Sequence, residues 1–247
     1  MSQNVAVIIC AAGASTRFGG KKKKPFVDVK GKAAFLHSVE LFSDHAAVKQ
    51  ILLAVPPDDL ELINIKWAAN LNFFGTKICL GGKERFETVN NALKLVKDDI
   101  DLVAVHDAVR CCLKKEWVDN VFAAAEKSGA AILACPVIPT IKKVKGNTII
   151  ETIDRSNLYQ AQTPQVFEKD LLKKAYENLV NMDKNKISDD AQLIEALGNK
   201  VTIVKTDSSN IKITHSSDVA MAEAILKARE KAKLPKGPTG PYVEVQW

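Results

Sequence analysis

Alternation constrains this chain more than any other feature. Short apolar runs rich in β-branched residues lie at 5–10, 48–55, 77–80, 102–105, 130–135 and 201–204. Longer amphipathic stretches separate or follow them and predict helices over 33–43, 60–71, 84–96, 115–127, 169–179, 189–197 and 217–231. Strands that alternate with helices need crossover connections, and right-handed crossovers build a mostly parallel sheet. The run VAVIIC at 5–10 is apolar throughout, as suits a strand covered on both faces.

One region breaks the rhythm. Between Pro136 and Gln165 there is no strong helical pattern. TIKKV, a Gly146-Asn147 turn and TIIETI read as a hairpin. It mixes charged and apolar residues and has no evident partner, so it is either an edge hairpin or an arm that docks on a second subunit. The expected fold is therefore α/β, a Rossmann-like, mostly parallel twisted sheet flanked by helices, with a β-hairpin at about 137–160 that either lies at the sheet edge or projects as a dimerisation arm. One domain is expected over 1–233. The last stretch, 234–247, holds three prolines and two glycines and reads as extended or disordered.

Composition narrows the function classes. The chain has 247 residues, a net charge of +6 and only 6% aromatic residues. The positive balance suits phosphorylated substrates, while the scarcity of aromatics argues against base-stacking platforms and hence against nucleic acid as partner. Five cysteines without regular spacing speak against a disulfide framework and against zinc. No apolar signal core and no membrane-length span is apparent, so a reducing, cytoplasmic setting is expected, or a plastid-like stroma in a plastid-bearing host.

Two loops carry the chemistry. The stretch AAGASTRFGGKKKKPF follows the first strand, where α/β sheets bind ligands. It is not a P-loop, because the second glycine of that pattern would fall on Phe18, and Ser15 stands where a dinucleotide fingerprint needs glycine. Gly13 permits close backbone approach, Arg17 offers a planar fork for phosphate, and Lys24 is pinned by the following Pro25. The second stretch, LVAVHDAVR, ends a strand in His106-Asp107 with Arg110 beyond. Asp107 reads as a Mg²⁺ anchor completed by substrate phosphates, or as a helix cap. His106 reads as structural. GGKERFETV, DRSNLYQAQTPQVF, ISDDA and SNIKIT are each polar where packing does not demand it.

Taken together and in this order, the motifs AAGxxxRF, GGxxRxxTV, VHDAVR, RxxLYxAQTPQxF and DDA with NIKIT resemble the 2-C-methyl-D-erythritol 4-phosphate cytidylyltransferases, from about Val5 to Leu226. The resemblance implies transfer of CMP from CTP to that polyol phosphate, with release of pyrophosphate, in a Mg²⁺-dependent homodimer of the non-mevalonate isoprenoid pathway. It assigns Arg17, Lys24 and Lys212 to catalysis and Ala11, Ala12, Gly13, Ala14, Gly82, Thr88 and Asp107 to the nucleotide, Asp107 also to the metal. It assigns Arg110, Thr163 and Ser188 to the acceptor pocket, joined by Thr140 and Arg155 from the arm of the other subunit. Cys111 stands where the family commonly has proline, and the lysine block leaves Lys23 as a rival to Lys24. The nearest alternative is a cytidylyltransferase for another polyol phosphate, such as ribitol 5-phosphate; a pyrophosphorylase using another nucleotide stands further off.

Overall fold

A computed structural model describes residues 3–13, 18 and 23–233. The expectations for Ala14, Arg17 and 234–247 lie outside the described residues. The elements, in chain order, are β1 (Val5–Cys10), β2 (Asp28–Val29), β3 (Lys32–Ala33), α1 (Ala34–Ser43), β4 (Val48–Val55), α2 (Leu60–Phe73), β5 (Thr76–Leu80), α3 (Arg85–Leu93) and β6 (Leu102–Asp107). They continue with α4 (Lys115–Ser128), β7 (Ala130–Pro136), β8 (Ile141–Lys145), β9 (Thr148–Ile153), β10 (Tyr159–Glu168), α5 (Lys169–Glu177), α6 (Ala191–Ala196), β11 (Thr202–Lys205) and α7 (Ser217–Lys233).

Seven strands form one sheet in the order β11-β7-β10-β6-β1-β4-β5. All neighbours pair in parallel except β10, which runs antiparallel to both β6 and β7. The period-two alternation of β1 divides the core into two layers. Val5, Val7 and Ile9 face the layer that holds Phe35 and Phe42 of α1, Ile63 of α2 and Val118 and Val121 of α4. Ala6 and Ile8 face the opposite layer, with Val89 of α3, Leu172 of α5 and Leu193 of α6. A fully buried aliphatic or phenyl side chain contributes about 1.5–3 kcal/mol, so these two layers fix the register of the sheet.

β10 was not foreseen from the sequence, because glutamines and a proline disguise it. Gln162 and Gln165 are buried, and their side chains serve neighbouring loops. The Gln162 carbonyl accepts from Thr206 Oγ1 at 2.8 Å and from Asn210 Nδ2 at 3.0 Å. The Gln165 carbonyl accepts from the backbone N–H of Asp190 at 3.0 Å and of Ala191 at 3.1 Å. Pro164, which has no N–H to give the ladder, sits where the register against β7 shifts between Ala161 and Gln165. The strand is polar because it ties down the loops beside it.

The hairpin is as expected. β8 and β9 make their own two-stranded sheet, turned through Gly146 at φ +58°. Val144, Ile149 and Ile150 are each more than half exposed. Several element boundaries moved, two of them near the site: Asp189 and Asp190 lie ahead of α6, and the expected helix at 84–96 ends as α3 at Leu93.

Candidate active site

The carboxyl ends of β1 and β6 open into a cavity of about 240 Å³. Its wall includes Ala11, Ala12 and Gly13 after β1, Lys24, Thr88 of α3, Asp107 at the end of β6, and Lys212. A larger groove of about 790 Å³ lies away from this cluster, against Trp67 and Phe73 of α2. The smaller cavity is the one that gathers Lys24, Asp107 and Lys212, the residues that the sequence singles out.

Local structure explains each position. Gly81 and Gly82 carry the chain from β5 to α3. A Cβ at Gly81 would lie 2.3 Å from the Ala12 Cβ, and one at Gly82 would lie 2.4 Å from the Glu87 Cβ. Only glycine fits this approach to the first loop. The Gly82 N–H donates to Thr88 Oγ1 at 3.0 Å. The Glu87 carboxylate accepts from the backbone N–H groups of Lys83 at 2.9 Å and Glu84 at 3.2 Å, which fixes the first turn of α3.

The two rival lysines separate cleanly. Lys23 is extended (φ −77°, ψ 141°) and its ammonium lies 2.8 Å from Asp59 Oδ1, ahead of α2. Lys24 opens a single 3₁₀ turn through Phe26 and borders the cavity. Pro25 is buried, and Phe26 stacks on Trp67 with ring centroids 5.2 Å apart. The segment is therefore held on both sides of Lys24.

Asp107 is the electrostatic centre. Its Oδ2 lies 2.8 Å from Lys212 Nζ and 3.6 Å from Arg110 Nε, and its Oδ1 lies 3.5 Å from Arg85 Nε. Burial alone would raise its pKa, but Lys212, Arg85 and Arg110 outweigh that and hold it well below the usual carboxylate range. Burial lowers the pKa of Arg110, whose Nη1 donates to the Asn210 carbonyl at 2.7 Å. Lys212 reaches Asp107 from a segment that is not a strand. Behind Asp107, Thr163 Oγ1 accepts from the Asp107 N–H at 3.0 Å and meets His106 Nδ1 at 3.1 Å. Ser38 Oγ meets the other ring nitrogen at 3.1 Å. Burial pushes the His106 imidazole down to about 3, so it is a neutral structural bridge. Burial also pushes the Cys10 thiol at the cavity wall up to about 12, which excludes it as a nucleophile.

Ser188 borders a second cavity, of about 420 Å³, with Arg85, Lys184 and Asp190. Thr140 and Arg155 stand apart on the hairpin, exposed, with Arg155 Nη1 donating to Thr140 Oγ1 at 3.2 Å. Within one chain, then, Lys24, Asp107 and Lys212 come together with Ala11, Ala12, Gly13 and Thr88, with Gly82 alongside. Arg110 and Thr163 stand at Asp107, and the arm pair does not join them. Sequence reasoning missed Arg85: the motif GGKERFETV contains it, but nothing in the spacing reveals that it turns toward two distant carboxylates.

An α/β sheet that converges an ionised aspartate and several cations on a strand-end cavity defines an enzyme for phosphate-bearing substrates. A model of the family described as "IspD: 2-C-methyl-D-erythritol 4-phosphate cytidylyltransferase" matches residues 5–228. A 2-C-methyl-D-erythritol 4-phosphate cytidylyltransferase of Endomicrobium trichonymphae is 41% identical over 90% of this chain and 99% of its own length. One of Rhodopirellula baltica is 38% identical over 90% of this chain and 95% of its own length. The crystal structure of 4-diphosphocytidyl-2C-methyl-D-erythritol synthase from Anaerococcus prevotii superposes with a TM-score of 0.79 at 28% identity, covering 92% of this chain and 97% of that one. The chain belongs to the 2-C-methyl-D-erythritol 4-phosphate cytidylyltransferase family and is an enzyme with that activity.

Proposed function

We propose that the strand-end cavity binds CTP and that the reaction is an in-line displacement on its α-phosphorus. A phosphate oxygen of 2-C-methyl-D-erythritol 4-phosphate attacks that phosphorus. The bond to the bridging oxygen of the β-phosphate breaks, and pyrophosphate leaves with the electron pair. No covalent enzyme intermediate is involved, in keeping with the raised pKa of Cys10. The observation that carries the reading is the convergence of Lys24, Asp107 and Lys212, from three segments far apart in sequence, on one cavity.

The roles follow from chemistry. Lys24 and Lys212 neutralise charge that builds on the phosphoryl oxygens and on the departing pyrophosphate. Arg17 belongs to the same loop and has the same role. The backbone of Ala11 to Ala14 and of Gly82, with the Thr88 hydroxyl, reads the cytidine. Arg110, Thr163 and Ser188 serve the acceptor, and Thr140 and Arg155 complete its pocket from the arm of a second copy. The exposed apolar residues of β8 and β9 support such a homodimer.

Among the described residues no group of three or more His, Cys, Asp or Glu side chains is arranged to hold a metal. A buried, ionised Asp107 at the cavity nonetheless fits Mg²⁺ of the kind held by one carboxylate and otherwise by substrate phosphates. When bound, the ion supplies charge neutralisation to the triphosphate. Asp107 would hold it, with the Lys212 ammonium, 2.8 Å from Asp107 Oδ2, as a further positive charge at the cavity.

The test is pyrophosphate release with CTP, Mg²⁺ and 2-C-methyl-D-erythritol 4-phosphate. Parallel reactions contain ribitol 5-phosphate as acceptor, or UTP, GTP or ATP as donor. Activity confined to the first mixture supports the reading. Equal rates with ribitol 5-phosphate, or with another nucleotide, contradict it.

A further inference from the structure

Arg85, in the first turn of α3, borders both cavities. Its Nη1 lies 2.7 Å from Asp190 Oδ2 and its Nε 3.5 Å from Asp107 Oδ1. Both contacts are charge contacts more than aligned hydrogen bonds: Asp190 Oδ2 and Arg85 Nη2 are buried without a hydrogen-bond partner. Asp190 is fixed from its other side, since the Tyr176 hydroxyl donates to Oδ1 at 2.6 Å and the Asp190 N–H donates to Gln165 Oε1 at 3.0 Å. One guanidinium thus spans the floor of the nucleotide cavity and the loop that carries Ser188.

That geometry asks for arginine. A lysine ammonium is a point charge on a flexible stem, whereas a planar fork meets two carboxylates in fixed directions. A buried donor left unsatisfied is costly, so the guanidinium holds this position through its charge contacts with the two carboxylates and not through a full set of hydrogen bonds.

We propose that Arg85 is a positioning residue that couples the two halves of the active site, holding Asp107 on the nucleotide side and the Ser188–Asp190 loop on the acceptor side in one arrangement. The proposal rests on the assignment of the two cavities to CTP and to the acceptor made above. Binding of CTP then orders the acceptor loop, and loosening Arg85 costs acceptor affinity before it costs CTP affinity. A purely structural ion pair would change the melting temperature and leave the two substrate affinities in their original ratio.

The experiment uses the full chain and two variants, Asp190→Asn and Arg85→Lys. Asp190→Asn keeps the side chain's shape and an acceptor for Tyr176. CTP binding is measured by calorimetry, acceptor KM by pyrophosphate release, and backbone hydrogen exchange over 187–192 with and without CTP and Mg²⁺. Both variants are expected to raise acceptor KM about tenfold, within the usual range of coupling between sites, with little change in CTP binding. CTP is expected to slow exchange over 187–192 in the unmodified chain. An acceptor KM within twofold of the unmodified enzyme in both variants overturns the proposal. So does unchanged exchange on binding CTP, a measurement that needs no variant to fold. If the unmodified chain binds CTP but releases no pyrophosphate, the functional reading fails, and the exchange result still decides the coupling.

Discussion

The strand-end cavity and the hairpin arm solve opposite problems. Asp107 is nearly buried, with Lys212, Arg85 and Arg110 gathered on its two oxygens. Thr140 and Arg155 on the arm are exposed and bond chiefly to each other. Charges removed from water interact strongly and hold their geometry, while exposed pairs are worth little. The cavity is therefore organised within one chain before any ligand arrives. The arm residues gain strength only where something else buries them, which fits the proposal that they serve the site of a second copy.

The comparison is broken most severely at Lys24. Lys24→Ala should lower kcat by about 10²–10³-fold, with a smaller change in CTP affinity, because a preorganised cation acts on charge developing in the transition state. Lys21→Ala should change little, and Lys23→Ala should stay well short of Lys24→Ala, since its ammonium is held at Asp59. Steady-state kinetics and calorimetry on the three variants check this; equal, small effects at all three would contradict the assignment.

Arg155→Ala tests the other half. It should raise acceptor KM about tenfold, as expected for losing one hydrogen bond to a charged group, and spare CTP binding. Mixed dimers of Arg155→Ala and Lys24→Ala chains should recover part of the activity, because one of the two sites then has both residues intact. Mixtures no more active than either parent would mean that the arm serves its own chain.

A last expected effect concerns stability and leaves the rate untouched. His106 is neutral in the fold with its pKa near 3, while in the unfolded chain it titrates near the ordinary histidine value of about 6.5. The unfolded state thus takes up a proton that the fold refuses. This contribution is complete above about pH 6.5 and is lost as pH falls toward 3, at about 1.4 kcal/mol per pH unit. Burial lowers His37 as well, in the same sense. Urea unfolding between pH 7 and pH 5 should show falling stability, and His106→Gln should remove about one proton's worth of the slope. A flat profile would place His106 outside the buried bridge between Ser38 and Thr163.

The contrast also explains what the sequence made legible. Apolar periodicity announced β1, β4, β6 and β7, because burial on both faces leaves a continuous signature. The arm was readable from the Gly146-Asn147 turn. β10 was not, because a strand that spends Gln162 and Gln165 on neighbouring loops looks like a loop itself. In the site, Lys24, Asp107 and Lys212 were recognisable from their motifs. The Asp59 contact that sets Lys23 apart from Lys24, and the direction of Arg85, needed coordinates, since side-chain direction between distant segments leaves no local pattern.

The arm's attachment has a consequence for how such a molecule can vary. It is spliced between β7 and β10, strands that are already neighbours in the sheet, and Val137 N–H donates to the Leu158 carbonyl at its root. Everything beyond that root is an excursion from a closed seam. Residues can be added or removed at the tip while the ladder, and the aspartate one strand further in, stay where they are. Evolution can therefore reshape the arm without reopening the chemistry.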